Sequence, residues 1–165
     1  MTTTTQETGV ATQVYRIYIK ASPQAIWEAI TKPEWTQKYG YRAITEVELK
    51  PGGKYEARAP EEMQQMGMPA LLIDGEVLEA DPPRKLVHTW HPLWDEEISA
   101  ETTRVTYDIE EDDFGYTRLT LTHELENAPV TARQVATDNR LQEGGGGWSW
   151  ILSDLKTLLE TDQSQ

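Results

Sequence analysis

The chain has 165 residues, the length of one ordinary domain, with 38% apolar and 26% charged residues and six Trp and seven Tyr against a single Phe, a globular composition biased toward aromatics with a polar tip. Fifteen Lys and Arg against 28 Asp and Glu leave a formal charge of −13, the wrong sign for neutralising a phosphate backbone or an anionic membrane, so neither nucleic acid nor membrane is an expected partner. There is no Cys, which removes disulfides, thiolate nucleophiles and Cys-ligated zinc, and no apolar run or basic leader that reads as a membrane span or signal, so a cytoplasmic protein is expected.

Residues 1–13 are polar, Thr-rich and aperiodic, and read as a disordered tail outside a single domain over 14–161. VYRIYIKA at 14–21 alternates as a half-buried strand, with Tyr15, Ile17 and Ile19 on one face and Val14, Arg16, Tyr18 and Lys20 on the other. Ser22 followed by Pro23 is a helix start, Ile26, Trp27 and Ile30 give that helix an apolar side, and Pro33 ends it or opens a second short turn. AITEVELK, the turn PGGK at 51–54 and KYEARA predict a hairpin. LLIDGEVLEA at 71–80 predicts the next strand, broken by DPP at 81–83, and RKLVHTW at 84–90 another, with Leu86, His88 and Trp90 sharing a face. Two further strands, joined through EDDFG at 111–115, present Val105, Tyr107 and Ile109, then Leu119, Leu121 and His123, as inward sets.

The last segment changes period: Trp148, Ile151, Leu152, Leu155, Leu158 and Leu159 recur at steps of three and four, predicting an amphipathic helix with Asp154, Lys156 and Glu160 outside. A second helical stretch is open over 131–142. Before the last helix stand four glycines at 144–147, each costing about 1 kcal/mol relative to Ala inside a helix, so a break or kink is expected there.

Strand, short helices, a run of antiparallel strands and one long C-terminal helix make an α+β sheet that must wrap something. In this order the chain resembles the SRPBCC (START-like, helix-grip) superfamily, and within it the proteins similar to the C-terminal domain of the activator of the heat-shock-protein-90 ATPase. The words that carry the resemblance are IYIKASPQAIWEAIT, KPGGKYE, DGEVLEADPPRKLVHTW, TRVTYDI, TRLTLTHE and GWSWILSDLKTLLE. It implies a helix-grip fold: a curved antiparallel sheet around the C-terminal helix, with a cavity between them closed at one end by the two short helices. The Met-rich EEMQQMGMPA at 61–70, where a tight hairpin is usual, and the four glycines depart from the pattern and bear on access to the cavity.

Trp35, Tyr39, Tyr41, Trp90, Trp94, Tyr107 and Trp148 exceed what packing needs, and several fall where the superfamily lines its cavity, while Trp27 reads as plain core. Trp148 reads as core too, and Trp150 lies off the helix stripe, exposed or covering a neighbour in a dimer. Met63, Met66 and Met68 suggest a soft surface, either a lid, a patch that meets a partner, or a loop filling a local gap. His88 and His123 face inward, as cavity polar groups or as structural histidines bonded to backbone or Tyr107; His91 is placed in a loop. Neither HxxxH nor HxH spacing occurs, no nucleophile elbow, phosphate loop or HExxH is present, and no metal or cofactor is expected. The acidic runs 95–97 and 110–113 read as solvated loop tips.

Three functions are consistent with these residues. The first is a non-catalytic module that holds a hydrophobic or aromatic small molecule, with His88, Tyr107 and His123 as its polar partners. The second, implied by the resemblance, is a co-chaperone-type domain that meets a chaperone or other protein in a stress response, its negative charge steering it to a basic surface. The third is a polyketide cyclase or dehydratase with His88 or His123 as general base. Monomer and homodimer both stay open.

Overall fold

The computed structural model describes residues 12–135 and 147–163. Strand β1 (Thr12–Ile19) leads into helix α1 (Pro23–Thr31) and the one-turn helix α2 (Pro33–Thr36), followed by β2 (Ile44–Val47) and β3 (Lys54–Arg58). A one-turn helix α3 (Glu61–Gln65) precedes β4 (Leu71–Asp81) and β5 (Lys85–Pro92), and a 3-10 turn at Ile98–Ala100 precedes β6 (Thr103–Glu111) and β7 (Thr117–Glu124). Helix α4 (Pro129–Gln134) and the long α5 (Gly147–Thr161) complete the described chain.

The strands form one seven-stranded antiparallel sheet in the order β1-β7-β6-β5-β4-β3-β2. Consecutive strands β1 and β2 therefore sit at opposite edges, and α1 and α2 carry the chain between them. Ser22 caps α1, its hydroxyl accepting from the Ala25 N–H at 3.1 Å, with Pro23 in the first turn where a missing N–H costs nothing. The buried side of α1, with Ile26, Trp27 and Ile30, joins one core with the inward residues of β5, β6 and β7 and with Trp148, Leu152 and Leu155 of α5. This is the helix-grip arrangement of an α+β domain. Among the described residues, no helix is long and apolar enough to cross a membrane.

Several expectations change. Thr12 and Gln13 belong to β1 and not to a tail, because β7 runs on to Glu124 and offers them partners; residues 1–11 lie outside the described residues. His91 lies in β5, which continues to Pro92, rather than in a loop. The stretch 61–70 contains α3, too short to show a period. Asp154 is not on the outside of α5 but 1% exposed, where its Oδ2 accepts the Gly40 N–H at 2.9 Å. Of the stretch 131–142 only the part up to Gln134 is seen as helix, and the expected break at Gly144–Gly146 falls outside the described residues. Trp150 is half-buried and packs on Tyr41, ring centroids 5.0 Å apart.

Candidate functional site

A cavity of about 300 Å³ lies between the sheet and α5. The alternation of the strands builds its floor: Tyr55 from β3, Leu72 from β4, Trp90 from β5, Tyr107 from β6, and Leu119 and Leu121 from β7. Helix α5 supplies Trp148, Ile151, Leu152 and Leu155, while Ile30, Tyr39 and Tyr41 close the end near α1 and α2. Met63, Met68, Trp94 and Val135 complete the wall. No Lys, Arg, Asp, Glu or His is among the described residues that line it.

Of the expected site residues, Tyr39, Tyr41, Trp90, Trp94, Tyr107 and Trp148 meet at this wall. Trp35, Met66, His88 and His123 do not line it. Trp35 is half-buried on α2 with the Lys38 ammonium 4.4 Å from its ring centroid. Met66 follows α3 and is 81% exposed, whereas its neighbours Met63 and Met68 reach the cavity. Tyr55 was missed, although Tyr55 and Ala57 alternate inward along KYEARA as clearly as the residues of the later strands.

Both inward histidines are fully buried behind the wall. Trp148 Nε1–H donates to His123 Nδ1 at 3.0 Å, which places the His123 proton on Nε2. From there it is donated to Thr103 Oγ1 at 2.7 Å, and the Thr103 hydroxyl donates in turn to the Trp90 carbonyl. Burial, and then the neighbouring His88, depress the His123 pKa to about 3. This chain holds two wall tryptophans in place and leaves His123 no free nitrogen. His88 donates from Nδ1 to the Thr89 carbonyl at 2.8 Å, and burial pushes its pKa down to about 4. Its ring stacks on Tyr55 at 3.7 Å with Tyr107 beside it, and its Nε2 is buried with no hydrogen-bond partner.

His91 is held oppositely. Nδ1 faces Asp74 Oδ1 at 2.6 Å and Nε2 faces the Ser99 carbonyl at 2.8 Å, so both nitrogens donate best when the ring is charged. Partial burial lowers its pKa, but the Ser99 and Asp74 acceptors outweigh that and the net shift is upward. His91 thus ties β4 and β5 to the 3-10 turn, away from the cavity wall.

A comparison with the curated proteins finds no match. The family model described as activator of Hsp90 ATPase homolog 1-like protein matches residues 20–160. The chain belongs to this AHSA1 family. Solved structures similar to this AHSA1 domain include CalU16 from Micromonospora echinospora, 20% identical with a TM-score of 0.61 over 92% of this chain and 77% of that one. Another is the Aha1 dimer from Colwellia psychrerythraea, 19% identical, TM-score 0.59, over 91% and 96% of the two chains. A third is PFC0360w, an HSP90 activator from Plasmodium falciparum, 22% identical, TM-score 0.54, over 93% and 90%. At these identities the likeness shows the shared fold.

Proposed function

We propose that this AHSA1 domain binds a hydrophobic or aromatic small molecule between the sheet and α5, without catalysis. The supporting observation is the cavity itself: concave, walled by Trp and Tyr from several strands and α5, and free of charged side chains among the described residues, which is the usual make-up of a small-molecule site. A general-base role for His88 or His123 has no geometric support, since neither lines the cavity and both are depressed well below neutral pKa by burial. Native mass spectrometry of protein purified gently from cells tests the reading. A reproducible adduct of small-molecule mass is the expected result. A bare peak, together with a broad aromatic panel that leaves the melting temperature and Trp fluorescence unmoved, overturns it. The same spectrum counts subunits, a point of interest because the Colwellia relative is described as a dimer.

A second reading is a protein-interaction domain of the co-chaperone type, favoured by family membership, by the Plasmodium relative's description as an HSP90 activator, and by the −13 charge. Such a surface would be steered electrostatically to a basic partner. Retention of the cell's chaperone on immobilised protein at low salt, and its loss at high salt, is the expected outcome; enrichment no greater than on a charge-matched control removes this reading.

A further inference from the structure

A groove of about 350 Å³ lies on the outer face of the sheet, the face turned away from α5. Alternation builds it as it builds the cavity: Leu86, Tyr107, Leu119 and Leu121 point into the core, while their chain neighbours Lys85, Asp108 and Thr120 point out. The register then sets four strands' outward residues in one row. Arg16 of β1 stands opposite Thr120 of β7, Thr120 opposite Asp108 of β6, and Asp108 opposite Lys85 of β5. Three strand spacings separate Arg16 from Lys85, about 14 Å between their Cα atoms.

The charges of this row do not satisfy one another. Thr120 is 8% exposed and accepts from Arg16 Nε at 3.2 Å, which leans the guanidinium over β7 and leaves its outer N–H groups without a carboxylate among the described residues. Among the described residues, no ion pair or hydrogen bond engages the Lys85 ammonium or the Asp108 carboxylate either. Two further cations line the groove but are engaged, Arg118 with Glu110 and Arg84 with Asp81. Four cations against two carboxylates make the groove a positive patch in a chain of formal charge −13. On either side of Arg16 along β1, Val14 and Tyr18 share its face and are 53% and 47% exposed. Aromatic and apolar side chains beside an arginine suit contact with protein, and a compact polyanion would bring its whole charge against Asp108.

We propose that this groove docks an extended acidic segment of a partner protein, with one carboxylate on Arg16, a second on Lys85 and a main-chain N–H between them on Asp108. At about 3.3 Å per residue the row spans four residues of extended chain, and residues four apart in such a chain point to one side. This surface has the opposite sign to the one on which the co-chaperone reading relies, and it does not depend on the sheet–helix cavity.

The test is a chemical-shift titration of the nitrogen-15-labelled full chain with unlabelled serine heptapeptides at low ionic strength. One carries glutamate at its second and sixth positions, one carries the two glutamates side by side, one carries lysine at the second and sixth, and one is all serine. The spaced-glutamate peptide is expected to move the amides of Arg16, Thr120, Asp108 and Lys85 and to bind severalfold tighter than the other three, although the net charge of the protein favours lysine. Arg16→Gln and Lys85→Gln should each weaken it about threefold and together about tenfold, as exposed charge pairs do, while Lys50→Gln, in the turn between β2 and β3, leaves it unchanged. All three replace outward or exposed side chains and leave the core intact. Equal binding of the side-by-side, lysine or all-serine peptide overturns the assignment, as does an unweakened double variant or a set of shifted amides elsewhere on the molecule. Pyrophosphate that moves the same amides at lower concentration than the peptide, at matched ionic strength, gives the groove to a compact anion and overturns it too.

Discussion

Three histidines in one small domain occupy three different electrostatic settings, and the consequences for stability have opposite signs. His88 and His123 have folded pKa values of about 4 and about 3, below the ordinary value of 6.5. The unfolded state therefore binds more protons below neutrality: their contribution is complete above about pH 6.5 and is lost as pH falls toward the folded values, by up to about 1.4 kcal/mol per pH unit for each ring. His91 is raised, so its contribution is complete below the unfolded value and is lost as pH climbs through the folded one. Urea unfolding between pH 7.5 and 5 should show stability falling steeply on the acid side. His123→Gln, whose side chain can still accept from Trp148 and donate to Thr103 but does not titrate, should flatten that slope by about one proton. A slope unchanged in the variant would mean that His123 is not held neutral in the folded state.

At the scale of elements, a buried carboxylate ties α5 to the turn that follows α2. Gly40 has a φ of +62°, and its N–H points to Asp154, 114 residues away in sequence. Asp154→Ala would leave that N–H buried without its acceptor and is expected to cost about 2 kcal/mol, with Asp154→Asn, which keeps an oxygen there, costing about half as much. Equal, negligible losses in both variants would show that the carboxylate does not anchor α5. The same residue marks the limit of what the sequence discloses. Strand faces were legible because alternation survives whenever one side of a sheet is buried, and the inward sets of β5, β6 and β7 are those expected. Asp154 was not, since polarity alone put it outside and its partner comes from a distant turn. Six of the aromatic site candidates meet at the cavity for the same reason the strands were legible, whereas the two histidines were rightly placed inward but not against the cavity. What binds each imidazole nitrogen depends on Thr103 and Trp148, brought in by other elements, and no local pattern encodes that.

For the molecule as a whole, the question is whether the space between sheet and helix is a void that a ligand fills or a gap that side chains can close. Ala57 of β3 lies on the cavity wall and is 3% exposed, so a larger side chain there must enter that space. In a close-packed interior, added methylenes force strain and cost about 1–3 kcal/mol. Where a void already exists they fill it and gain contacts, commonly by about 0.5–2 kcal/mol. Ala57→Leu is therefore expected to hold or raise the melting temperature of the ligand-free protein. Binding linkage gives the complementary measurement: a ligand at 100 times its Kd stabilises the folded state by about 2.7 kcal/mol, which for a domain of this size raises Tm by roughly 5–10 °C. With a binder from the aromatic panel that rise should appear in the unmodified protein and shrink or vanish in Ala57→Leu, because the methylenes now occupy the ligand's place. A destabilised Ala57→Leu that still gains the full rise with the same binder would place the binding site somewhere other than this cavity.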